Sequence, residues 1–544
     1  MKVTFFKTKI YCIFCIALFA VILSGCKKDY NSRITQEKPQ NSYSSLNYVN
    51  NYGYSSNLDF YVLADGITLD KFSTSSPSYV KKSVQVSGLQ TGEKLLAIDF
   101  RPATGQLYGV GSLSRIYVIN LSTGVARMIN TTPFTPAING TIVGFDFNPT
   151  VDRIRLITNN GQNLRLIPET GAVAAVDGNI NINGQAGPML AAAAYENSVA
   201  GAVTTTLYSI DLVSKKLYRN NPPNAGTLEE VGSLGLNISG EGGYDIDGKS
   251  NTGLAVFKVN GQTTLFSVND ETAATTVLAT YSKNYSAIAI PTQNVAYAAS
   301  TSNALLIFNP ENSDAPVSKP FTGLAAGETV IGLDMRPVNG QLYALGSGSR
   351  IYTVNASSGA VALVGTLTTA LSGTDFGFDF NPVVDRIRIV SNTGQNLRVN
   401  PANAVAIVDA NINPAGRAVT GVAYRNNFAG ATATVLYDID VTTDKLYRQD
   451  PPNAGTLVEI GGLGINVEAM SGFDIGGTSN MGYALLKSGS TVKLYNVNID
   501  YNTGGYNGGS GYYGGSGYNS GSNLLSYKRD FPFSITGFTL GLGF

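Results

Sequence analysis

Six aspartates occupy one recurring position of a repeated sequence pattern and are the first candidates for chemistry: Asp99, Asp146, Asp245, Asp334, Asp379 and Asp474. If the segments that carry them line a common axis, each half of the chain would bring three carboxylates together. Three converging carboxylates could bind Ca²⁺ through oxygen ligands. They could also hydrolyse a glycosidic bond, which requires a protonated acid opposite a second carboxylate.

A structural role competes with both kinds of chemistry. Each aspartate could accept backbone N–H groups in the turn that follows its strand, as short polar side chains often do. Such a role repeats from unit to unit, whereas catalysis normally requires residues that break the symmetry. The repetition therefore favours the structural interpretation, so no catalytic residue and no metal site are predicted.

Two pairs of arginines are candidates for anion binding: Arg153 and Arg155, then Arg386 and Arg388. Residues i and i+2 of a strand point to the same face, so each pair would place its guanidinium groups side by side. Such a cluster could bind a carboxylate or a phosphate through paired hydrogen bonds. It could equally pair with the neighbouring Asp152 or bind exposed carbonyl groups, and we favour this structural interpretation.

Each half also contains a proline-rich loop, with the sequence NPPNAGTL at residues 221–228 and DPPNAGTL at residues 450–457. Loops held by a rigid scaffold often supply binding residues. A stiff turn without a ligand is the simpler interpretation, and we favour it.

The composition excludes several classes of function. The chain contains no histidine, which excludes catalysis by serine–histidine–aspartate and cysteine–histidine groups. The only cysteines are Cys12, Cys15 and Cys26, so zinc sites of histidine and cysteine are excluded as well. The 37 basic and 37 acidic residues leave no positive field for nucleic acid. We therefore predict no cofactor and no nucleic-acid partner.

The amino terminus has the pattern of a secretory signal, with basic residues before an apolar run over residues 10–23. The run ends in LSGC, and this ending resembles a bacterial lipoprotein signal peptide. The resemblance implies that residues 1–25 are removed and that Cys26 carries lipid. An ordinary signal peptide and an uncleaved anchor are the alternatives. Residues 26–57 are rich in Asn, Ser and Tyr and are predicted to form a flexible tether.

The strands that must position the aspartates come from a tandem duplication. GFDFNPTVDRIR at residues 144–155 returns as GFDFNPVVDRIR at residues 377–388. Short alternating runs separated by turns recur every 44 to 51 residues, which is the size of a four-stranded propeller blade. We predict an all-β chain of two tandem five-bladed β-propellers. One ten-bladed ring is the alternative.

The same spacing predicts the domain boundaries. The first strands of successive blades are anchored on Asp99, Asp146, Ala194, Asp245, Ala289, Asp334, Asp379, Ala423 and Asp474. This assigns residues 58–281 to the first propeller and 282–500 to the second. A further blade without an obvious first strand precedes the first anchor. Each propeller is expected to fold alone.

The carboxyl-terminal part of the chain divides into a linker and a strand. Residues 501–523 are a low-complexity Gly, Tyr, Ser and Asn sequence, typical of a flexible linker. Within residues 524–544 the apolar residues Phe538, Leu540 and Leu542 alternate with small or polar ones, which predicts a strand. This strand could complete the last blade or close a ring. The alternative is the last strand of an outer-membrane barrel, which it also resembles.

Three stretches resemble a known family: LLAIDFRPATGQLY at residues 95–108, the motif at residues 144–155, and GQNLR at residues 161–165. The family is the bacterial extracytoplasmic repeat family catalogued as domain of unknown function 4394. The resemblance covers about residues 58–500 and both halves. It implies an exported protein and assigns no catalytic residue.

Together these observations predict a non-catalytic, lipid-anchored propeller that binds a glycan or a protein of the bacterial cell envelope. Its expected place is the outer membrane, facing the periplasm or the cell surface. One alternative is a carboxylate-dependent glycoside hydrolase. The other is a structural envelope component whose Gly/Tyr-rich segment makes the contacts.

Overall fold

The computed structural model describes residues 57–312, 314–469, 471–501 and 524–544. These residues form ten four-stranded antiparallel sheets. Two single-turn 3-10 segments, Pro223–Ala225 and Pro452–Ala454, are the only helices in the described ranges. No helix in this part of the chain is long and apolar enough to cross a membrane. The prediction of an all-β chain is confirmed.

The first half contains twenty strands. They are β1 (Asp59–Ala64), β2 (Thr68–Ser73), β3 (Lys82–Gln85), β4 (Leu95–Arg101), β5 (Gln106–Gly111), β6 (Ile116–Ile119), β7 (Ala126–Met128), β8 (Val143–Asn148), β9 (Arg153–Thr158), β10 (Asn163–Leu166), β11 (Val173–Val176), β12 (Leu190–Tyr195), β13 (Leu207–Asp211), β14 (Lys216–Asn220), β15 (Leu228–Ser233), β16 (Ile238–Ile246), β17 (Gly253–Val259), β18 (Gln262–Val268), β19 (Thr275–Tyr281) and β20 (Tyr285–Ala289).

The second half repeats this order. Its strands are β21 (Ala296–Ser300), β22 (Ala304–Phe308), β23 (Val317–Pro320), β24 (Val330–Arg336), β25 (Gln341–Gly346), β26 (Arg350–Val354), β27 (Val361–Thr366), β28 (Phe376–Asn381), β29 (Arg386–Ser391), β30 (Asn396–Val399), β31 (Ala406–Val408), β32 (Val419–Tyr424), β33 (Leu436–Asp440), β34 (Lys445–Gln449), β35 (Leu457–Gly462), β36 (Gly472–Ile475), β37 (Gly482–Ser488), β38 (Thr491–Val497), β39 (Leu525–Phe531) and β40 (Ile535–Leu540).

The hairpin between β8 and β9 illustrates how the recurring motif folds locally. The side chain of Asn148 accepts the backbone N–H of Thr150 at 2.9 Å and so forms the turn. Asp152 ends the turn with a left-handed φ of 51°, a conformation that short polar residues tolerate. Phe147 and Ile154 then pair across the two strands and are fully buried. The motif therefore combines a turn signal with the apolar residues that hold adjacent sheets together.

Each half is closed by a strand from its own end. β20 pairs with β1, placing Ala289 opposite Tyr61, and β40 pairs with β21, placing Thr539 opposite Tyr297. The last sheet is completed in the same region of the chain, where β39 pairs with β38. The carboxyl-terminal residues thus supply one strand to each of two sheets, β39 to the last sheet and β40 to the sheet of β21.

This pairing corrects the predicted division of the chain. The boundary between residues 281 and 282 separates β20 from the sheet to which it belongs. Ala289, expected to begin a blade of the second half, instead supplies the missing first strand of the sheet that precedes Asp99. The error arises because β20 is distant in sequence from its partner β1, so a spacing read in chain order assigns it to the strand that follows.

The first strands of the sheets lie side by side, and we call β4, β8, β12, β16 and β20 the inner strands of the first half. Consecutive inner strands contact one another, and β20 contacts β4, so the contacts form a closed cycle. The inner strands of the second half are β24, β28, β32, β36 and β40, and they form a second closed cycle. The functional side chains described below project from these two cycles.

The two halves contact each other through the β4–β5 turn. Thr104 accepts the backbone N–H of Gly543 at 2.7 Å, and Ala103 accepts the hydroxyl of Tyr297 at 2.9 Å. Arg101 binds Asp152 in its own half and donates to the carbonyl of Gly340 at 3.1 Å. The side chain of Arg101 is only 1% exposed, whereas its counterpart Arg336 is 19% exposed. The second half therefore covers an ion pair of the first.

We predict that a fragment of the first half folds only if it contains β20. Residues 57–293 should be monomeric and unfold in one cooperative transition, because every inner strand then has both neighbours. Residues 57–281 should not, because β1 loses its partner and the edges of β4 and β16 are exposed. Thermal unfolding and sedimentation of the two fragments test this prediction. Equal behaviour of the two would contradict it, and failure of both with a stable full chain would show that the first half needs its contacts with the second.

Candidate functional site

Three aspartates converge between the inner strands of the first half. Asp99 on β4, Asp146 on β8 and Asp245 on β16 each place a carboxylate oxygen within 4.8 Å of the others. Their exposed fractions are 3%, 2% and 4%. The second half repeats this cluster with Asp334, Asp379 and Asp474, each 1% exposed. The six aspartates predicted from the sequence therefore meet as two buried triads.

Each inner strand has a small residue two positions before the residue that faces the centre of its cycle, and these small residues allow the inner strands to approach each other. At every one of these ten positions the residue is Ala or Gly: Ala97, Gly144, Ala192, Gly243, Ala287, Gly332, Gly377, Gly421, Gly472 and Gly537. A Cβ atom at Gly144 would lie 2.7 Å from the backbone nitrogen of Ala193 on the next inner strand. A Cβ atom at Gly243 would lie 2.6 Å from that of Ile288. The sequence reasoning missed this signal, although a small residue two positions before each recurring aspartate is legible in the sequence.

In the first half each carboxylate accepts a backbone N–H from the neighbouring inner strand. Asp99 accepts the N–H of Phe147 at 2.9 Å, and Asp146 accepts that of Tyr195 at 3.2 Å. Asp245 accepts the N–H of Ile290, just beyond β20, at 2.6 Å. These bonds correct the predicted structural role. The aspartates do not serve the turns after their own strands but link one inner strand to the next.

The second half has the same bonds and one additional hydroxyl. Asp334 and Asp379 accept the N–H groups of Phe380 and Tyr424 at 2.7 and 3.0 Å. The hydroxyl oxygen of Thr539 lies 2.8 Å from Asp334 and 3.0 Å from Asp474. A hydroxyl has one proton and can donate only one of these bonds. The other contact is a hydrogen bond only if the carboxyl group carries a proton.

Burial and mutual repulsion both favour the neutral form of these carboxyl groups. Burial, and then the charge of Asp245, hold the pKa of Asp99 well above its ordinary value of 3.8. Burial, and then the charges of Asp99 and Asp245, do the same for the pKa of Asp146. Burial raises the pKa of Asp245 to about 7 and that of Asp474 to about 6. Each triad therefore holds protons at pH values where exposed aspartates are ionised.

The geometry does not match a glycosidase. The two carboxyl groups of such an enzyme are about 5–9.5 Å apart across a cleft that admits the substrate. Here the oxygens lie within 4.8 Å of one another, and the side chains are almost completely buried. A calcium ion usually binds roughly six to eight oxygen ligands, each of which must have a lone pair available for the ion. The triads supply few oxygens, and backbone N–H groups already point at several of them, so shared protons fit the site better.

The arginines predicted to bind anions are engaged within the protein. Arg155 donates to Asp177 at 2.6 Å and to Asn224 at 2.7 Å. Arg388 donates to Asp409 at 2.8 Å and to Asn453 at 2.8 Å. Both arginine side chains are 2% exposed. Each therefore fastens a proline-rich loop to the neighbouring sheet, which supports the interpretation of these loops as stiff turns.

The acidic partner of these arginines differs from the one we expected. Asp152 pairs with Arg101 and its counterpart Asp385 pairs with Arg336, in each case at 2.8 Å. The remaining arginines, Arg153 and Arg386, each donate to the carbonyl oxygen of the residue before them, at 2.8 and 2.9 Å. None of the four predicted anion-binding arginines is thus without an intramolecular partner. Cys26, the predicted lipid-attachment residue, lies outside the described residues.

We predict that stability falls as the pH rises from mildly acidic to neutral. The folded-state pKa of Asp245, about 7, and that of Asp474, about 6, exceed the ordinary value of 3.8. Raised acid pKa values stabilise the folded state fully below the unfolded pKa, and this contribution is lost as the pH passes through the folded pKa. Asp146→Asn mimics the protonated acid and should be neutral near pH 5 and stabilising near pH 8. Asp146→Ala leaves the N–H of Tyr195 without an acceptor and should lower the free energy of unfolding by about 1–3 kcal/mol.

Thermal melts of these variants between pH 4 and 9 test the prediction, with Asp379→Asn as the matched variant in the second half. Glu271→Gln, at an exposed carboxylate, is the control and should leave the melting temperature unchanged. Destabilisation by Asp146→Asn, together with protection of the unmodified protein by Ca²⁺, would contradict the account and support a calcium site.

Comparison with known proteins identifies a family and no function. Two likenesses to solved structures are weak. One is to PorZ, described as an essential bacterial surface component of the type-IX secretion system of Porphyromonas gingivalis, with 13% identity and a TM-score of 0.24. It covers 82% of this chain and 64% of that chain, so this protein spans less than two thirds of its length. The other is to glutaminyl cyclase of Myxococcus xanthus, with 10% identity, a TM-score of 0.27, and coverage of 39% of this chain and 83% of that chain.

At these scores neither likeness bears on function, and no curated protein matches the chain. The family model described as Domain of unknown function (DUF4394) matches residues 68–290 and 304–507, one region in each half. These regions cover well over half of the sequence and include both aspartate triads. The chain therefore belongs to the family of domain of unknown function 4394.

Proposed function

We propose that the protein is a lipid-anchored protein of the bacterial cell envelope that acts as a non-catalytic binding scaffold built from two five-bladed β-propellers. Support for two propellers comes from the inner strands, because the last one of each half contacts the first one of the same half: β20 contacts β4, and β40 contacts β24. A cycle of five sheets that closes within each half is the arrangement of a five-bladed propeller. On this proposal the domains run from β1 to β20 and from β21 to β40.

One observation carries the proposal of a non-catalytic role: the candidate catalytic carboxylates hold the backbone together. Asp99 and Asp245 each accept two backbone N–H groups, one from the following residue and one from the next inner strand. A group that serves the fold in this way is buried away from substrate. The absence of histidine supports the same conclusion, because it removes the commonest general base.

The location rests on the amino-terminal sequence. A lipid-modified Cys26 would anchor the chain, and residues 26–57 would hold the folded part away from the membrane surface. We place the anchor in the outer membrane, with the propellers facing the periplasm or the cell surface. The partner is a glycan or an envelope protein bound by the exposed loops. A structural envelope component remains the second candidate, favoured by the Gly/Tyr-rich sequence of residues 501–523.

The anchor is tested by substituting Cys26. We predict that Cys26→Ala leaves an uncleaved precursor or releases soluble protein, because the substitution removes the sulfur that would carry the lipid. Intact-mass analysis of the mature amino terminus and fractionation of membranes provide the measurement. Cys12→Ala, within the segment expected to be removed, is the control and should leave anchoring unchanged. A mature amino terminus without added acyl mass would show that the anchor is wrong.

The non-catalytic role is tested by binding and turnover together. The purified protein should retain one or more members of an envelope-glycan and peptide array, and the bound molecule should be recovered intact. A combined Asp99→Asn and Asp245→Asn variant should bind equally well, since these carboxyl groups lie buried between the inner strands. Release of reducing sugar by the unmodified protein, lost in that variant, would instead establish a glycosidase.

A further inference from the structure

The first half has a cavity at the end of the inner strands opposite to the aspartate triad. Its volume is about 360 Å³, and the first residues of β4, β8 and β20 and the middle of β16 line it. Leu95 begins β4 at the cavity, and Asp99 lies four residues further along the same strand. The deepest lining residues, Leu96, Val143 and Gly242, precede the aspartates by three positions, so at about 3.3 Å per residue the carboxylates lie roughly 10 Å deeper. The cavity is therefore a site separate from the triad, and we call it the first-half mouth.

Two acidic and two basic side chains surround the first-half mouth: Asp65, Lys94, Glu241 and Lys258. Asp65 lies in the β1–β2 turn, which packs against Lys94, because a Cβ atom on Gly66 would lie 2.8 Å from Cβ of Lys94. Lys258 runs beside the irregular segment of β16 that carries Glu241. Throughout the described ranges none of these four side chains takes part in an ion pair.

The second half shows that these charges are a specific property of the first. Its corresponding cavity has a volume of about 310 Å³, and the described residues that line it include a single charged one, Asp375, together with the hydroxyls of Thr374, Thr420, Ser471 and Thr536. The lysine equivalent to Lys258 is Lys487, which is neutralised by Glu468 at 3.2 Å. In the first half the residue opposite Lys258 on the neighbouring strand is Ser239, which stands at the position of Glu468 and carries no charge. The duplication thus preserved the cavity but left the lysine of the first half free to bind a ligand.

We propose that the first-half mouth binds a short zwitterionic peptide, with its carboxylate toward Lys258 and its ammonium toward Glu241. This inference rests on the proposed binding function and specifies its ligand. Positive and negative side chains around one cavity give each end of a ligand that carries both charges an oppositely charged partner at short range. The volume is close to the lower limit, about 300 Å³, of typical ligand sites, which fits two or three residues of peptide.

The lining also argues against a neutral sugar. Aromatic rings supply the large contact area of many binding sites. Among the described residues, the one aromatic side chain that lines the first-half mouth is Tyr285, which is 5% exposed and donates its hydroxyl to Asp70 at 2.7 Å. It offers no free ring face. Charge–charge recognition of a peptide is the interaction that these residues can make.

Isothermal titration calorimetry and ligand-observed NMR of the purified full-length protein test the proposal with triglycine as the probe. Triglycine should bind, and binding should weaken as salt is added, because exposed charges are screened. Acetyl-triglycine-amide, which lacks both terminal charges, should not bind. Glu241→Gln and Lys258→Gln should each weaken binding by about tenfold, as expected for the loss of a charge-assisted contact.

Lys487→Gln in the second half is the matched control and should bind triglycine as well as the unmodified protein does. The melting temperatures of Glu241→Gln and Lys258→Gln should be unchanged, since neither side chain has an ion-pair partner. Equal binding of the blocked peptide, equal loss in Lys487→Gln, or no triglycine binding up to about 10 mM would overturn the proposal. If a neutral glycan from the array binds instead, the peptide site fails while the binding function stands.

Discussion

Six buried carboxyl groups link neighbouring inner strands by accepting their backbone N–H groups, and the arrangement of each half depends on these links. A buried carboxylate that is ionised and unpaired is expensive, so three of them can share one axis only if protons neutralise most of the charge. The proton-bearing form also keeps a carbonyl oxygen for the backbone donor. A residue type that usually marks chemistry therefore serves as a neutral connector between sheets.

The links form only because the inner strands come close together. Small residues such as Gly144 and Gly377, two positions before the aspartates, leave room for the next strand. Each cycle of inner strands must also be closed, and β20 and β40 close it by pairing with β1 and β21, which belong to the first sheet of each half. The Ala and Thr that these strands place at the axis, Ala289 and Thr539, distinguish the two triads, since only the second includes a hydroxyl.

Much of the fold could be predicted from the sequence because each repeat has local features of its own: alternating apolar residues, turn residues and a regularly spaced aspartate. The spacing of Asp99, Asp146 and Asp245 predicted the sheets, whereas the convergence of the carboxylates was only one of the alternatives and the role in a turn that we favoured was wrong. The assignment of β20 failed because closure is a contact between distant residues, which no local pattern reveals. The partner of Arg155 was misassigned for a similar reason, since Asp177 follows a strand two hairpins later whereas Asp152 is adjacent in sequence. The unpaired charges of the first-half mouth emerged only from comparing the two halves in three dimensions.

A ¹³C NMR titration of protein labelled at the aspartate side-chain carboxyl carbon measures whether the triads are protonated. If the triads are protonated, their resonances should keep the chemical shift of the neutral acid well above pH 4, with Asp474 changing near pH 6 and Asp245 near pH 7. Asp→Asn variants assign each resonance. Exposed aspartates should titrate near the ordinary value of 3.8. Titration of all six triad aspartates at or below that value would contradict the account.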